Sequence, residues 1–380
     1  MGFLDGVRVV DATRLFPGGY ATMLLSDMGA EVTKVEQPGL GDYMRATPPT
    51  KRGKSPVHDI VNRNKSSIGV DLKSKEGRGV MRRLLERADV FVEGFRPGAM
   101  KRLGFSYEEV KTISPKIVYC SISAYGQKSP LSSMPGHDVN FQAMAGTLSY
   151  GPPTPPLLQL GDLASGMHAA LAILGALAGR RGPVYIDVPI VPSLASWMVL
   201  PAATYIATGE EPVPGHSLIF GSTPYYSIYP TSDGRHVAVA AIEERFWHNL
   251  VVALGVPELE GKRFGSPPER RQVKSTLKKI FSARTRDHWA RLLMHKDTCV
   301  TPVLTVSEAL QSDWAKAAGA LVRVPHSGHV LGAPVLSRPR MRSKPQTQAP
   351  ELGADTPRIL ESLGYSRAEV ARLRRSHAVQ

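Results

Sequence analysis

Three side chains have the types and settings needed for proton transfer or nucleophilic chemistry, and Asp162 is the first of them. It follows a glycine in an apolar neighbourhood, where the N-terminus of a long apolar helix is expected. Its carboxylate could act there as a general base or a covalent nucleophile, with backbone N–H groups stabilising an enolate or oxyanion. Aspartate is equally common as a helix N-cap for structural reasons alone. The position of Asp162 at a helix start therefore does not show whether it is a catalytic group or only a helix cap.

His137 and Glu243 are the other two candidates. His137 lies in the irregular polar run MPGHDVNFQ, where a histidine can exchange protons near neutral pH. The structural alternative is a histidine that caps a helix or bonds to nearby backbone. Glu243 ends the predicted strand VAVAAI, a position where glutamate is ordinarily only solvated. The sequence alone does not show that the three groups meet.

Several other kinds of site lack their usual motifs. The two cysteines, Cys120 and Cys299, lie far apart, and neither HxxxH nor CxxC spacing occurs, so no metal site is expected. Neither GxSxG nor GxxxxGK[ST] is present, which disfavours a serine hydrolase or a P-loop enzyme. The turn RLFPGG is not GxGxxG, so NAD binding has little support, although Glu36 ends the second strand where a ribose could sit.

The composition is that of a folded globular protein with a basic surface. Hydrophobic residues make up 42% of the 380 residues and charged ones 21%, so we expect one large and one smaller domain. The net charge of +14 attracts polyanions, which include nucleic acid, membrane surfaces and phosphorylated cofactors. The basic residues are scattered, which is typical of solvated faces. No signal peptide and no window long enough to span a membrane is expected, so the sequence predicts a soluble, cytoplasmic protein.

Short β-branched runs alternate with helical patterns over the first 125 residues, which predicts a parallel sheet covered by helices. We place a large Rossmann-like α/β domain at 1–205, completed by 320–380. From about Pro212 the pattern changes to strands joined at Asp233-Gly234 and followed by helices. A smaller α+β domain is therefore expected at 215–315. The predicted strands of the large domain are VRVVDAT, EVTKVEQ, SSIGVDL, DVFVEGF and KIVYCSIS.

Long motifs in a fixed order run through nearly the whole chain. They include LDGVRVVDATRLFPGGYATMLLSDMGAEVTKVEQPGLGDYMR, NRNKSSIGVDLKSKEG, ADVFVEGFRPGAMKRLGF, GHDVNFQAMAG, GDLASGMHAALAILGAL and YPTSDGRHVAVAAIEERFW. By these motifs the chain resembles the family III coenzyme A transferases (CaiB/BaiF type) and their relatives, the α-methylacyl-CoA racemases. The resemblance implies an enzyme that acts on acyl-CoA thioesters.

The resemblance implies one of two chemistries for Asp162. In the transferases the matching aspartate attacks the donor thioester and carries CoA as an aspartyl-CoA thioester, whereas in the racemases it shares α-proton transfer through an enolate with a histidine. The motif GHDVN supplies that histidine, His137, where transferases usually carry an aromatic residue. Glu243 matches the glutamate that supports it. We therefore expect a 2-methylacyl-CoA racemase (epimerase), with CoA transfer as the alternative.

The resemblance also implies the partners of the chain. Coenzyme A is expected as part of the substrate, with Lys65, Arg96 and Arg102 near its phosphates or pantetheine arm, and no tightly bound cofactor is expected. Family members form interlocked homodimers, so we expect one here, with neither nucleic acid nor membrane as partner. A non-catalytic, basic nucleic-acid-binding protein is a further alternative, but it leaves the GHD and GDLASG motifs unused.

Overall fold

A computed structural model describes residues 2–51, 53–151, 154–179, 182–215, 218–324, 328–332 and 345–380. The chain divides into two compact units. Unit 1 comprises Met1–Ser149, Thr154–Trp197 and Asp313–Gln380, and unit 2 comprises Tyr150–Pro153 and Met198–Ser312. The boundaries expected from the sequence, 1–205 with 320–380 and 215–315, lie further along the chain at each junction. Each unit is described by itself below.

Unit 1 is built on a six-stranded sheet in the order β3-β2-β1-β4-β5-β6. Every neighbouring pair is parallel, which confirms the parallel sheet expected from the sequence. After β1, the chain adds β2 and β3 on one side of that strand and then β4, β5 and β6 on the other side. Ligands of parallel α/β folds commonly bind at the carboxyl ends of the two strands where the order switches, here β1 and β4. The strands are β1 (Arg8–Ala12), β2 (Glu31–Glu36), β3 (Ser66–Gly69), β4 (Val90–Glu93), β5 (Val118–Ser123) and β6 (Val184–Pro189).

Helices connect and cover the strands of both units. The sequence of 273–297 has a helical pattern throughout, but the structure divides it into two helices. The second begins after Thr285, whose side chain caps it by accepting from the His288 N–H. In chain order the helices are α1 (Phe16–Asp27), α2 (Pro56–Val61), α3 (Lys75–Glu86), α4 (Ala99–Leu103), α5 (Tyr107–Ile113), α6 (Asp138–Met144), α7 (Leu160–Ala178), α8 (Ile190–Ala195), α9 (Val199–Thr208), α10 (Glu244–Leu254), α11 (Pro267–Ser282), α12 (Arg286–Leu293), α13 (Val306–Gln311), α14 (Asp313–Ala317), α15 (Thr356–Ser362) and α16 (Arg367–Arg375).

Both faces of the parallel sheet are buried, which is why its strands are nearly continuous apolar runs. On one face, side chains of α1 and α7 such as Leu25 and Ile173 pack against Val92 and Cys120. On the other, α3, α5, α15 and α16 cover the sheet. The side chain of Ser366 caps α16 by accepting from the Glu369 N–H. The C-terminal helices thus complete the core of unit 1.

Helix α7 departs from the sequence expectation about membrane spans. It has 19 residues and is apolar enough, by length and composition, to cross a membrane, so the expectation that no such window exists is wrong. A core helix can pass the same test. Here α7 packs closely on α1, and a Cβ at Gly166 would lie 2.7 Å from the Pro17 carbonyl oxygen.

Unit 2 contains a three-stranded antiparallel sheet, β7-β8-β9, covered by helices. The turn between the first two strands uses Gly234 with φ of +71°, as the Asp233-Gly234 pair predicts. The core of unit 2 contains the large side chains of Trp247, Phe281 and Trp289. The strands are β7 (Tyr226–Pro230), β8 (His236–Ala240) and β9 (Val300–Pro302), and unit 1 also has an antiparallel pair, β10 (Leu321–Val324) and β11 (Gly328–Leu331).

Candidate active site

Asp162 lies in the first turn of α7 and does not cap the helix. Helix α7 begins at Leu160, and the N-cap residue Gln159 makes no capping bond with its side chain. Asp138 supplies the cap: its Oδ1 accepts from the N–H groups of Gly161 at 2.8 Å and Asp162 at 3.1 Å. A carboxylate in this place neutralises the positive end of the helix. The N-cap interpretation of Asp162 is therefore wrong.

Asp138 is held in place from its other side by Gln142, one turn further along α6. The Gln142 amide donates to Asp138 Oδ2 at 2.5 Å and to the Leu158 carbonyl oxygen at 2.8 Å. Gly161 leaves room for this contact, because a Cβ there would lie 3.2 Å from Asp138 Oδ1. These bonds join the GHD segment to the start of α7. Sequence reasoning singled out the histidine of that motif and missed the structural part played by its aspartate.

The Asp162 carboxyl has an unusual proton affinity. Its pKa is raised to about 7, first by burial and then by the negative charge of Asp138. Burial raises the pKa because it disfavours the charged form, and a second carboxylate nearby acts in the same direction. A group with a pKa near the operating pH can both take up and release a proton. The site is therefore suited to acid–base chemistry.

His137 is the residue immediately before Asp138 and the N-cap of α6. Its side chain is exposed, and its backbone N–H donates to Asn140 Oδ1 at 3.0 Å. The fold therefore brings His137 within one residue of a carboxylate that bonds to the backbone of Asp162. Its backbone has the capping geometry that sequence reasoning weighed as the structural alternative. Its catalytic role stays a prediction.

Glu243 belongs to unit 2, where it is the exposed N-cap residue of α10. It lies near Cys299, whose thiol pKa is raised by burial and further by the charge of Glu243. Its expected support of His137 stays a prediction. Among the residues that the structure describes, no three or more His, Cys, Asp and Glu side chains are grouped to hold a metal ion.

Lys65 does not have the surroundings expected for a coenzyme-binding lysine. Its side chain is fully buried, and its Nζ lies within 3.1 Å of Asp11 Oδ2, the Gly19 carbonyl oxygen, Thr22 Oγ1 and Asn62 Oδ1. An ammonium has three N–H groups, so these four oxygens leave no donor for a phosphate. We correct its role to that of a structural cation in unit 1.

Arg96 and Arg102 are exposed and flank α4, after the carboxyl end of β4. A cleft lies at the carboxyl ends of β1 to β4 and is lined by Arg14, Lys73 and Phe95, among others. Ligands of open parallel sheets bind at this edge. The guanidinium of Arg14 lies 5.4 Å from the centre of the Phe95 ring. Sequence reasoning missed Arg14 and Lys73, although both closely follow strands of the sheet.

The family sequence model described as CoA-transferase family III matches residues 4–356 of the chain. The chain belongs to this family. Its relatives include the α-methylacyl-CoA racemase of Homo sapiens, 32% identical over 97% of this chain and 96% of the relative. The succinyl-CoA:glutarate CoA-transferase of Mus musculus is also 32% identical, over 97% of this chain and 88% of that protein. This racemase and this transferase are thus equally identical to the chain, and the racemase is covered over more of its own length.

Solved structures of this family share the fold. A CaiB/BaiF family protein from Brucella suis has a TM-score of 0.83 at 26% identity, over 96% of this chain and 100% of that one. A hypothetical protein from Mycobacterium tuberculosis has a TM-score of 0.80 at 26% identity, over 95% and 99%. The mixed α/β architecture expected from the resemblance is therefore correct.

Proposed function

We propose that this family III protein is a 2-methylacyl-CoA racemase (epimerase) that works by α-proton transfer. The observation that carries the proposal is the Asp162 carboxyl, whose pKa of about 7 suits a group that alternates between base and acid. The GHD segment joined to the same helix turn provides a second titratable group, His137. The racemase relatives support the same assignment.

In the proposed reaction the two side chains act on opposite faces of the α-carbon. Asp162 accepts the α-proton, the C–H electrons move into the thioester carbonyl to give an enolate, and His137 donates a proton to the other face. The reverse reaction exchanges the two roles.

The coenzyme A part of the substrate is proposed to bind in the cleft at the carboxyl edge of the parallel sheet. Arg96 and Arg102 are exposed beside α4, and Arg14 and Lys73 line the cleft. Guanidinium groups suit this task because they bind phosphate oxygens in a bidentate manner. Lys65 has no part in this binding, since its donors are used within unit 1.

CoA transfer is the second candidate function, and the transferase relatives favour it. Asp162 would then attack the donor thioester, release the CoA thiolate and form a mixed anhydride. The CoA thiolate would attack the aspartyl carbonyl of this anhydride and expel the donor carboxylate, which leaves an aspartyl-CoA thioester. The acceptor carboxylate would repeat these two steps in reverse, taking CoA and freeing Asp162. Hydroxylamine added during turnover would trap the acylated Asp162, and mass spectrometry of the digested protein would locate it. Under the racemase proposal, no adduct forms at Asp162.

Single-site variants test the two-base mechanism directly. For a two-base racemase, Asp162→Asn should abolish solvent exchange from the epimer whose proton Asp162 removes, and His137→Gln should abolish exchange from the other epimer. Glu108→Gln, on the exposed face of α5, is the matched control and should leave both exchange rates unchanged. If either variant at the two bases exchanged both epimers at the wild-type rate, the mechanism would be wrong.

A further inference from the structure

Unit 2 contains a group of cations that does not take part in the proposed chemistry. Arg270 and Lys274 lie one turn apart on the same face of α11, so their side chains are neighbours. Lys274 Nζ donates to the Gly221 carbonyl oxygen at 2.5 Å, which places the cations beside the loop that ends at Ser222. We call Arg263, Arg270 and Lys274 the cationic cluster.

Two ring contacts link Arg263 to Tyr225, a residue just after this loop. Its guanidinium lies 4.3 Å from the centre of the Phe264 ring, and Phe264 packs edge-on against Tyr225 at 5.6 Å. Tyr225 is buried and follows Ser222 by three residues. The helix α11 also packs on β7 and on the turn of 3₁₀-helix Pro257–Lys262 that precedes Arg263.

Several polar atoms in this region are buried without a hydrogen-bond partner. They are Arg263 Nη1, Arg270 Nε and Ser222 Oγ. Leaving a buried donor without a hydrogen-bond partner destabilises the folded state, and the penalty is larger for a charged group. Three such atoms in one neighbourhood therefore call for a ligand that accepts hydrogen bonds.

Nearby carboxylates do not serve as counter-ions to the cluster. Glu269 precedes Arg270 but accepts from the Ser266 N–H at 2.7 Å and from Ser266 Oγ at 2.6 Å. Glu260 contacts His248 Nδ1 at 2.5 Å. The pKa of Lys274 is lowered by burial. Within the described part of unit 2, these cations lack an anionic partner.

We propose that the cationic cluster and the hydroxyl of Ser222 form an oxyanion-binding site on unit 2. Its ligand is a phosphate or carboxylate group, because both accept several hydrogen bonds from arginine and neutralise clustered positive charge. This site is separate from the chemistry of Asp162 and would exist even if the proposed function were wrong.

The test is thermal unfolding of the full chain in increasing inorganic phosphate or succinate, with sodium chloride matched for ionic strength. Binding to the folded state raises the melting temperature in a saturable manner. Arg270→Gln and Lys274→Gln should weaken this response at least about tenfold, since each removes a charge-assisted contact. Lys279→Gln, an exposed lysine on the far side of α11, removes the same charge and should respond like the wild type.

A response to phosphate alone, to succinate alone, or to both would identify the class of oxyanion. Without added anion, Arg270→Gln should melt at or above the wild-type temperature, because it removes the buried Nε donor that has no hydrogen-bond partner. The proposal is overturned if the wild type responds to neither anion, or if the two cluster variants respond as Lys279→Gln does. A lower melting temperature of Arg270→Gln without anion would also overturn it, by showing a purely structural role.

Discussion

At the scale of single residues, the proposed chemistry depends on a carboxylate, Asp162, that is partly withdrawn from water and lies beside a second carboxylate, Asp138. Two carboxylates in one site cannot both ionise at low cost, so the one without strong donors takes the higher pKa. Asp138 has donors from Gly161, Asp162 and Gln142. The arrangement thus places a hydrogen-bonded capping carboxylate beside a carboxyl whose pKa is raised to about 7.

Replacing Asp138 by asparagine should change the pH dependence of catalysis. The amide keeps an acceptor for the N–H groups of α7 but removes the negative charge that raises the Asp162 pKa. The pKa of Asp162 should fall below about 7 yet stay above its ordinary value, because burial remains. The acid limb of kcat/KM should therefore move to lower pH in the direction where Asp162 acts as base. An unmoved limb in D138N would contradict the electrostatic account.

Lys65 shows where sequence reasoning fails at this scale. The run NRNKSS reads equally well as a surface cation or a buried one, because the four oxygens around Nζ come from β1, α1 and the loop before β3. Spatial convergence of this kind leaves no local pattern. By contrast, the candidacy of Asp162 and His137 could be read from residue type and neighbouring motifs.

Two lysine variants should separate stability from ligand binding. Lys65→Met leaves Asp11 in the core with fewer partners, and breaking a buried ion pair costs about 3–5 kcal/mol. Urea unfolding should show this loss, while the folded protein keeps its affinity for CoA. Lys73→Met, an exposed residue of the cleft, should do the opposite, with unchanged unfolding and weaker CoA binding by calorimetry. If K65M weakened CoA binding and left stability intact, the correction made above would be wrong.

At the scale of elements, α7 sets the geometry of the site through its N-terminus and its small residues. The sequence predicts the helix but starts it at Asp162, because the true capping group lies 24 residues earlier in the chain. Long-range caps cannot be read from local patterns. The helix also contacts α1 where Gly166 meets Pro17, a contact that pairs two segments far apart in sequence.

Two glycines of α7 provide a matched test of this packing. Gly166→Ala would place a Cβ 2.7 Å from the Pro17 carbonyl oxygen and should destabilise the protein by about 1–3 kcal/mol through overpacking. Gly175→Ala meets nothing within 4 Å, so it should stabilise the protein by about 0.5–1 kcal/mol through helix propensity. Chemical denaturation measures both. Equal effects of the two substitutions would show that the α1–α7 contact is looser than described.

At the scale of the whole molecule, the alternation of strands and helices made the parallel sheet predictable, since each buried strand is a short β-branched run. The Asp233-Gly234 pair likewise predicted the hairpin that β7 and β8 form in unit 2. The exact ends of the two units were less predictable, because α9 continues the apolar character of unit 1 although it belongs to unit 2. Composition alone does not separate them.

We propose that the protein forms a homodimer. The argument for this proposal is that unit 1 exposes several large apolar side chains. Met167, Leu171 and Trp197 are 47%, 68% and 42% exposed, and the first two share one face of α7. Such exposure on a helix of unit 1 is typical of an interface. Sedimentation should give twice the chain mass of 41.2 kDa, and Leu171→Glu should give the single mass with unchanged circular dichroism. A wild-type monomer would contradict this proposal.

The central claim is that Asp162 exchanges a proton with the α-carbon of an acyl-CoA. One measurement tests it most directly: a single epimer of a 2-methylacyl-CoA is incubated with the protein in heavy water, without any acceptor acid, and its mass is followed. We predict one deuterium at the α-carbon, appearing together with the other epimer; with Asp162→Asn, the epimer whose proton Asp162 removes should gain no deuterium. Recovery of the starting epimer without deuterium would contradict the account and leave CoA transfer as the remaining chemistry for Asp162.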